Sequence, residues 1–167
     1  MDPSDLTLRS RGPDDTREAA AAIAPFLAEG DVVALSGELG AGKTCFVQGA
    51  ARALGVTTRV TSPTFTLVRT YPSDPVLVHC DVYRLDRLQD VVDLGDEVLA
   101  PDVVTMIEWG DAISPLLPDD RLDIELVLAD PLAPDGDRLI RVWLRGSWQT
   151  RHAELAEVSA PWREGAA

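Results

Sequence analysis

The feature that most constrains the fold of this chain is residues 37–44, which match the phosphate-binding loop pattern G-x-x-x-x-G-K-[ST] at every fixed position. An apolar run, residues 32–35, precedes the loop. The residues that recur after it at the spacing of one helical face are Phe46, Val47, Ala50, Ala51 and Leu54. Glycines let the backbone turn its N–H groups toward a pyrophosphate, and the positive end of the following helix dipole favours the same anion. The sequence therefore predicts a strand, a phosphate-binding loop and a helix in this order.

Two side chains of this loop have the chemistry that a nucleoside triphosphate requires. Lys43 would reach the β- and γ-phosphates as a point charge, and the Thr44 hydroxyl would coordinate Mg²⁺. Lys43 is the single lysine of the chain, which fits a site that needs a compact ammonium group rather than a guanidinium. The residues predicted to bind the nucleotide are Gly37, Glu38, Leu39, Gly40, Ala41, Gly42, Lys43, Thr44 and Cys45.

Two short apolar runs each end in a carboxylate. Residues 76–81 end in Asp81, and residues 103–108 end in Glu108. The ligand crevice of an open α/β sheet lies beyond the carboxyl ends of its parallel strands, so both carboxylates are expected beside the phosphates. We predict that Asp81 holds Mg²⁺ and that Glu108 holds Mg²⁺ or orients the attacking water. Either carboxylate could instead cap the turn after its strand.

Three residues near these runs allow more than one interpretation. Thr64 lies in a proline-stiffened stretch where P-loop proteins often keep a switch loop that senses Mg²⁺ and the γ-phosphate. Serine and threonine beside proline are also ordinary turn residues. His79, inside an apolar run, is interpreted as a packed and hydrogen-bonded core residue rather than a catalytic base. Trp109 either stacks on a ligand or covers the core.

The remaining elements extend the predicted domain on both sides. Residues 7–9 alternate as a short strand, and a helix is predicted with Asp15 as its N-cap. Residues 122–128 and 140–144 alternate around a turn and predict an antiparallel hairpin. The expected fold is α/β, a P-loop NTPase-like three-layer fold whose parallel central sheet has added antiparallel strands. We assign residues 1–146 to a single P-loop ATPase domain, and residues 147–167 to a C-terminal tail that is partly helical or disordered.

Charge and composition limit the classes of partner. The chain of 167 residues has a formal net charge of −13, and residues 74–137 contain 17 acidic residues and 3 arginines. Such a surface repels a phosphate backbone, so another component would have to hold any RNA. The acidic stretch is either a solvated face or a docking surface for a basic partner, and residues 85–99 within it are predicted to be helical.

The compartment is predicted from the apolar runs and the two cysteines. No apolar run approaches the ~20 residues that span a bilayer, and the first residues lack the pattern of a secretory signal. Cys45 and Cys80 are expected to be small buried side chains in a reducing compartment. We therefore expect a cytoplasmic protein that does not contact a membrane.

Four motifs, in this order and spacing, resemble the bacterial TsaE family, also called YjeE. They are residues 37–44, then Ser62-Pro63-Thr64-Phe65, then His79-x-Asp81-x-Tyr83-Arg84-Leu85, and finally Glu108-Trp109. The phosphate loop alone would indicate only a superfamily, whereas the four motifs together are specific. The similarity extends over residues 31–111, and the size of the chain and the flanking elements match the family on both sides.

The resemblance implies the ATPase component of the machinery that makes N6-threonylcarbamoyladenosine in tRNA, next to the anticodon. It implies ATP as substrate, Mg²⁺ as cofactor, and the TsaD and TsaB proteins as partners, with tRNA reached only through the complex and hydrolysis feeble in isolation. The implied roles are phosphate and Mg²⁺ binding for Lys43 and Thr44, metal binding and hydrolysis for Asp81 and Glu108, a switch function for Thr64, and a position beside the site for Trp109. Lys43, Asp81 and Glu108 are the implied catalytic set.

Three other readings of the phosphate loop stay open at this point. A small-molecule P-loop kinase would need an arginine-rich lid, for which three arginines in residues 74–137 offer little. A GTP-dependent switch would need a second lysine in its guanine-reading N/T-K-x-D element, which this sequence does not have. A nucleotide-gated assembly module would bind ATP and partners without meaningful hydrolysis.

Overall fold

The computed structural model describes residues 3–63, 67–83, 98–133 and 135–164, and a seven-stranded sheet lies at its centre. The strands are β1 (Leu6–Ser10), β2 (Val32–Ser36), β3 (Val68–Tyr71), β4 (Val76–Asp81), β5 (Val103–Glu108), β6 (Leu122–Leu128) and β7 (Arg138–Leu144). The α-helices are α1 (Pro13–Ile23), α2 (Lys43–Ala53) and α3 (His152–Val158). Shorter 3-10 helices span Ala24–Phe26, Gly110–Leu116, Gly146–Arg151 and Ala160–Trp162.

The strand order is β1-β7-β6-β2-β5-β4-β3. The four central strands are parallel, because β2 pairs in parallel with both β5 and β6, and β4 pairs in parallel with β5. The outer strands β7, β1 and β3 add antiparallel ladders at the two sides. This arrangement confirms the predicted α/β fold with a parallel centre and added antiparallel strands, including the hairpin formed by β6 and β7.

Apolar side chains cover both faces of the central strands, as is usual for parallel strands. On one face, Phe46 and Val47 of α2 and Ile23 of α1 pack against the main core, which also contains Leu77 of β4. On the other face, Cys80 of β4 packs in a second cluster with Ile113 from the 3-10 helix Gly110–Leu116. Successive residues of β4 thus point to opposite sides, which places His79 and Asp81 on the face that α2 covers.

The start of α1 differs from the prediction that Asp15 is its N-cap. Gly12 occupies the N-cap position and Pro13 is the first helical residue. Proline suits that position because its fixed φ matches the helix and its missing N–H would have no intrahelical partner there. Asp15 instead lies in the first turn, where its carboxylate accepts a hydrogen bond from the backbone N–H of Arg11 at 2.9 Å.

Residues 146–164 pack against the same domain. Trp148 and Leu155 are buried in the main core, and the Arg151 guanidinium donates a hydrogen bond to the backbone carbonyl of Phe26 at 2.7 Å. The backbone N–H of Glu164 donates to the carbonyl of Thr7 at 3.1 Å, beside β1. The domain boundary at residue 146 stays a prediction.

Two earlier predictions lie outside the described residues. These are the switch-like residue Thr64, together with its neighbour Phe65, and most of the acidic helix expected at residues 85–99. Within the described ranges, none of the helices combines the length and the apolar character needed to cross a membrane.

Candidate functional site

The phosphate loop connects the end of β2 to the start of α2 and depends on its glycines. Gly37, Gly40 and Gly42 all have positive φ, at 125°, 80° and 112°. At Gly37 a Cβ atom would lie 2.1 Å from the carbonyl oxygen of Leu126, so only glycine fits against the neighbouring strand β6. The backbone conformation that the loop needs is therefore specified by its sequence.

Lys43, the first residue of α2, is only 4% exposed. Its ammonium group donates hydrogen bonds to the backbone carbonyls of Gly37 at 2.7 Å and Glu38 at 3.0 Å. The same group lies 3.8 Å from the centre of the Trp109 ring, which is a cation–π distance. The ammonium is thus held inside the loop, at the place where the pattern predicts that it meets phosphate oxygens.

The charges around Lys43 are mainly negative. Burial lowers the pKa of the Lys43 ammonium below its ordinary value, because the charged form loses solvation. The carboxylates of Glu108, Asp81 and Asp111 act in the opposite direction and favour the charged form. A site with one ammonium and three nearby carboxylates is suited to a polyphosphate that brings a divalent cation with it.

Glu108 lies at the end of β5 and connects the phosphate loop to the sheet. Its Oε1 accepts a hydrogen bond from the Thr44 hydroxyl, with the two oxygens 2.8 Å apart. The same Oε1 lies 2.9 Å from Nε2 of His79, a fully buried residue of β4. The structure therefore brings together a predicted metal ligand from α2 and a predicted catalytic carboxylate from β5.

Asp81 lies directly beside Glu108, because the two residues are paired in the register of β4 and β5. One carboxylate oxygen of Asp81 accepts a hydrogen bond from the Ser62 hydroxyl at 2.8 Å, and the other accepts from the backbone N–H of Tyr83 at 3.0 Å. Both carboxylates are nearly buried, at 4% exposure each. The turn-capping alternative thus holds in part for Asp81, whose carboxylate caps the turn after β4.

The oxygen atoms of Thr44 and Glu108 fit Mg²⁺. Hydroxyl and carboxylate oxygens are the hard ligands that Mg²⁺ prefers, and neighbouring ligands of an octahedral Mg²⁺ lie about 3 Å apart, close to the spacing of these two oxygens. Among the residues that the structure describes, no group of three or more His, Cys, Asp or Glu side chains is placed to bind a metal. Mg²⁺ that arrives with a nucleotide needs only one or two protein oxygens, because phosphates and water supply the others.

Trp109 follows Glu108 in a left-handed backbone conformation, with φ at 65°. This conformation is uncommon for a residue other than glycine and directs the indole ring back over the Lys43 ammonium. The Tyr83 ring packs against the Trp109 ring, with the two ring centres 4.8 Å apart. Trp109 therefore lies beside the phosphate loop and is half-buried, and it also packs against the second core cluster, as the core-covering alternative predicted.

Three cavities surround the phosphate loop. One of about 640 Å³ lies between the loop and the end of β6, and is also lined by Pro131 and Arg138. A second, of about 320 Å³, lies between the loop and the start of α1, where Thr16 and Cys45 line it. A third, of about 430 Å³, extends from the loop toward Trp109. Open space beside the loop thus exists on several of its sides.

The contact between His79 and Glu108 was missed by the sequence reasoning, which placed His79 in the core without a role. His79 is in the core and is hydrogen-bonded, as predicted, but its partner is a candidate catalytic residue. The signal was present in the spacing, because His79 and Asp81 are two residues apart on one strand and therefore share a face. The spacing did not show that Glu108 points to the same place.

The model of the family described as "Threonylcarbamoyl adenosine biosynthesis protein TsaE" matches residues 10–132. That range includes the phosphate loop, Asp81, Glu108 and Trp109. The chain belongs to the TsaE family.

Curated TsaE relatives match over most of their length. A tRNA threonylcarbamoyladenosine biosynthesis protein TsaE from Treponema pallidum (strain Nichols) is 46% identical over 123 residues, which cover 72% of this chain and 91% of that protein. The protein of the same name from Bacillus subtilis (strain 168) is 43% identical over 122 residues, 71% of this chain and 75% of that protein.

A solved structure also resembles this TsaE fold. The crystal structure of YdiB from Bacillus subtilis superposes with a TM-score of 0.73 and 34% sequence identity, and the match covers 93% of this chain and 94% of that one. Because the coverage is nearly complete on both sides, the likeness extends over the whole arrangement and not over the phosphate loop alone.

Proposed function

We propose that this protein is the ATP-binding and ATP-hydrolysing component of the machinery that makes N6-threonylcarbamoyladenosine in tRNA, and that partner proteins control its hydrolysis. Family membership supports the role in threonylcarbamoyladenosine biosynthesis. The single observation that carries the proposed ATPase activity is the 2.8 Å contact between the Thr44 hydroxyl and the Glu108 carboxylate beside the buried Lys43. A helix N-terminus, an ammonium, a hydroxyl and a carboxylate in one place form the recurring set of P-loop ATPases.

The phosphates of ATP would bind to the backbone N–H groups of residues 37–45. The positive end of the α2 dipole and the Lys43 ammonium would stabilise their charge. In this structure the ammonium is bonded to the carbonyls of Gly37 and Glu38, so it lies inside the loop before a phosphate arrives. Phosphate oxygens would take the place of these carbonyls as acceptors, and the charge-assisted hydrogen bonds would be stronger.

Thr44 and Glu108 would hold Mg²⁺, and Asp81 would take part directly or through water. The chemistry that Mg²⁺ would supply at these residues is neutralisation of part of the phosphate charge. Asp81 is anchored by Ser62 and by the backbone of Tyr83, whereas Glu108 is anchored by Thr44 and His79. The two carboxylates are therefore held in separate positions. Glu108 is the carboxylate that is bonded to Thr44, and it would also orient the attacking water.

Partner control of hydrolysis agrees with the charge of the surface. With a net charge of −13, the protein repels RNA and attracts basic protein surfaces. We propose that ATP binding completes a surface for the TsaD and TsaB proteins, and that hydrolysis releases these partners. The protein would reach tRNA only through this complex. Contact with an activating protein raises the rate of P-loop enzymes by ~10³ to 10⁵.

The test is phosphate release from ATP in the presence of Mg²⁺, by the purified protein alone and then with TsaD and TsaB. A slow rate that rises with the partners and disappears in Lys43→Ala and Glu108→Gln is expected. Glu157→Gln makes the same change on the exposed side of α3 and is expected to behave as the wild type. A fast rate without partners, no partner effect, or transfer of the γ-phosphate to a small acceptor would contradict the proposal, and the last result would favour a kinase.

A further inference from the structure

His79 is a buried polar residue on the face of β4 that α2 covers. Its side chain has no exposed surface, and its Nε2 lies 2.9 Å from Oε1 of Glu108. The Thr44 hydroxyl donates to the same oxygen at 2.8 Å. Two side chains from two different elements therefore converge on one carboxylate oxygen, one from the helix that begins at the phosphate loop and one from the sheet below it.

The hydrogen-bond pattern assigns the position of the imidazole proton. Nδ1 of His79 is buried and has no hydrogen-bond partner among the residues that the structure describes. Because an ionised carboxylate can only accept, Nε2 is the ring nitrogen whose hydrogen is donated to Glu108. A buried polar atom without a hydrogen-bond partner lowers the stability of the folded state. Nδ1 of His79 is such an atom, so His79 is not an optimal residue for packing alone.

We infer that His79 is a positioning residue that holds the Glu108 carboxylate in place for Mg²⁺ and the attacking water. The inference rests on the proposed function of Glu108. A Thr44 hydroxyl that coordinates Mg²⁺ through a lone pair can still donate its hydrogen to Glu108 from the side of the phosphate loop. The bond from His79 reaches the same oxygen from the sheet and does not involve the metal. His79 is thus the contact that would keep Glu108 in place from the sheet side whether or not a ligand is bound.

The geometry of the two carboxylates distinguishes this role from general packing. Asp81 is held by Ser62 and by a backbone N–H of the turn after β4. Glu108 is held on the sheet side by His79, a side chain on an inner strand of the sheet that cannot turn away without disturbing the core. Residues that orient a metal-binding group in this way commonly change metal affinity or activity by about 10- to 100-fold when they are removed.

Three substitutions separate the donated hydrogen bond from the volume of the ring. In His79→Gln the amide nitrogen is as many bonds from Cα as Nε2 is, so the donor is retained. In His79→Asn the amide nitrogen corresponds to Nδ1, and in His79→Leu there is no donor. The experiment measures nucleotide affinity at increasing Mg²⁺ concentration and again in EDTA, together with the unfolding temperature of each variant.

The expected result for His79→Leu and His79→Asn is an increase of about 10- to 100-fold in the Mg²⁺ concentration needed for half-maximal effect. Nucleotide affinity in EDTA should stay at the wild-type value, and His79→Gln should restore most of the Mg²⁺ response. In a Glu108→Ala background, His79→Leu should have no further effect on the Mg²⁺ response. Equal defects in all three variants, or a loss of affinity in EDTA as large as the loss with Mg²⁺, would overturn the inference.

A second measurement needs no nucleotide and is independent of the proposed function. The nitrogen resonances of the His79 ring, recorded without nucleotide, should show the hydrogen on Nε2, and the Nε2 resonance should shift in Glu108→Gln. A ring without a hydrogen on Nε2 would overturn the inference even if the protein proved to be an active ATPase. If the protein did not hydrolyse ATP, the Mg²⁺ response of nucleotide binding and the ring resonances would still decide the role of His79.

Discussion

Lys43 places a charged ammonium group in a nearly buried position inside the phosphate loop. Its ammonium is nearly buried, and its hydrogen-bond acceptors are two backbone carbonyls of the loop that surrounds it. Burial lowers its pKa, so the charged form is held at a cost in stability. Under the proposed function, this charge would be stabilised fully only when phosphate binds.

Replacing Lys43 with arginine should weaken ATP binding although the charge is kept. The buried space inside the loop fits an ammonium group, and the wider guanidinium cannot make the same contacts. Hydrogen bonds to charged groups contribute about 1.5–3 kcal/mol, so the dissociation constant should rise roughly 10- to 100-fold. Isothermal titration calorimetry with ATP measures this effect, with Arg52→Lys at the exposed end of α2 as the reverse exchange. An affinity in Lys43→Arg equal to the wild type would disprove the steric argument.

Because of Cys80, the free energy of unfolding is expected to depend on pH in the alkaline range. Burial raises the pKa of its thiol from 9.0 to about 12 in the folded state. Above pH 9 the unfolded chain loses this proton and the folded protein keeps it, so the free energy of unfolding falls as pH rises, by up to about 1.4 kcal/mol per pH unit. Below pH 9 both states keep the proton and the dependence disappears.

Urea unfolding at about pH 8 and about pH 10 tests this linkage. Wild type should lose roughly 1.4 kcal/mol more than Cys80→Val between the two conditions, because valine has no proton to lose. Cys45→Ala removes the other thiol and should keep the wild-type slope. The same slope in wild type and Cys80→Val would show that Cys80 is not the group responsible.

The two helices that flank the phosphate loop pack closely, and Gly49 of α2 permits this. A Cβ atom at Gly49 would lie 2.1 Å from the backbone carbonyl oxygen of Arg17 in α1. Next to it, the Arg17 guanidinium donates to the side-chain carbonyl of Gln48 at 3.0 Å. The packing of α1 on α2 therefore depends on the absence of a side chain at Gly49. This packing fixes the helix whose N-terminus adjoins the phosphate loop.

Gly49→Ala should destabilise the protein although alanine favours helices. Helix propensity alone would stabilise α2 by about 1 kcal/mol, but overpacking against backbone atoms costs about 1–3 kcal/mol and the helices must move apart. Chemical denaturation should show a net loss, and Arg52→Ala on the exposed side of the same helix should change stability by less than about 0.5 kcal/mol. A gain in stability in Gly49→Ala would contradict this prediction, because it would mean that α1 can move away from α2 without loss of packing.

Local patterns were sufficient for the elements that carry the site. The apolar runs that end in Asp81 and Glu108 predicted β4 and β5 with the observed bounds, because a buried strand leaves a continuous apolar signature. The predicted N-cap of α1 was wrong. The helix could begin after either Gly12 or Asp15, and Pro13 favours the earlier position. The contact of His79 with Glu108 depends on pairing between strands that are far apart in sequence, and periodicity within a single strand contains no information about it.

At the scale of the whole molecule, the C-terminal segment is joined to the first strand. Trp148 is 1% exposed and lies in the main core, and residue Leu8 of β1 forms a bridge with Arg163. The sequence after residue 146 is short and polar, so composition predicted a tail. Trp148 and Leu155 are buried by contacts with elements that are distant in sequence. A local sequence pattern contains no information about such contacts.

Trp148→Ala should reduce the free energy of unfolding by about 3–5 kcal/mol, the range for removing a large buried aromatic side chain. Trp162→Ala, at a partly buried position, should cost less. A chain that ends at residue 146 should be destabilised at least as much as Trp148→Ala. Urea denaturation measures all three, and a truncated protein with the stability of the full chain would show that residues 147–167 do not contribute to folding stability.

The most direct test of the proposed site is the dependence of ATP affinity on Mg²⁺, measured by isothermal titration calorimetry with Mg²⁺ and with EDTA. If Thr44 and Glu108 hold the ion, Mg²⁺ should strengthen ATP binding to the wild type, and this gain should be largely lost in Glu108→Ala while binding in EDTA is retained. Wild-type binding that does not respond to Mg²⁺, or a Glu108→Ala variant with the full Mg²⁺ response, would contradict the assignment of these residues to a Mg²⁺·ATP site.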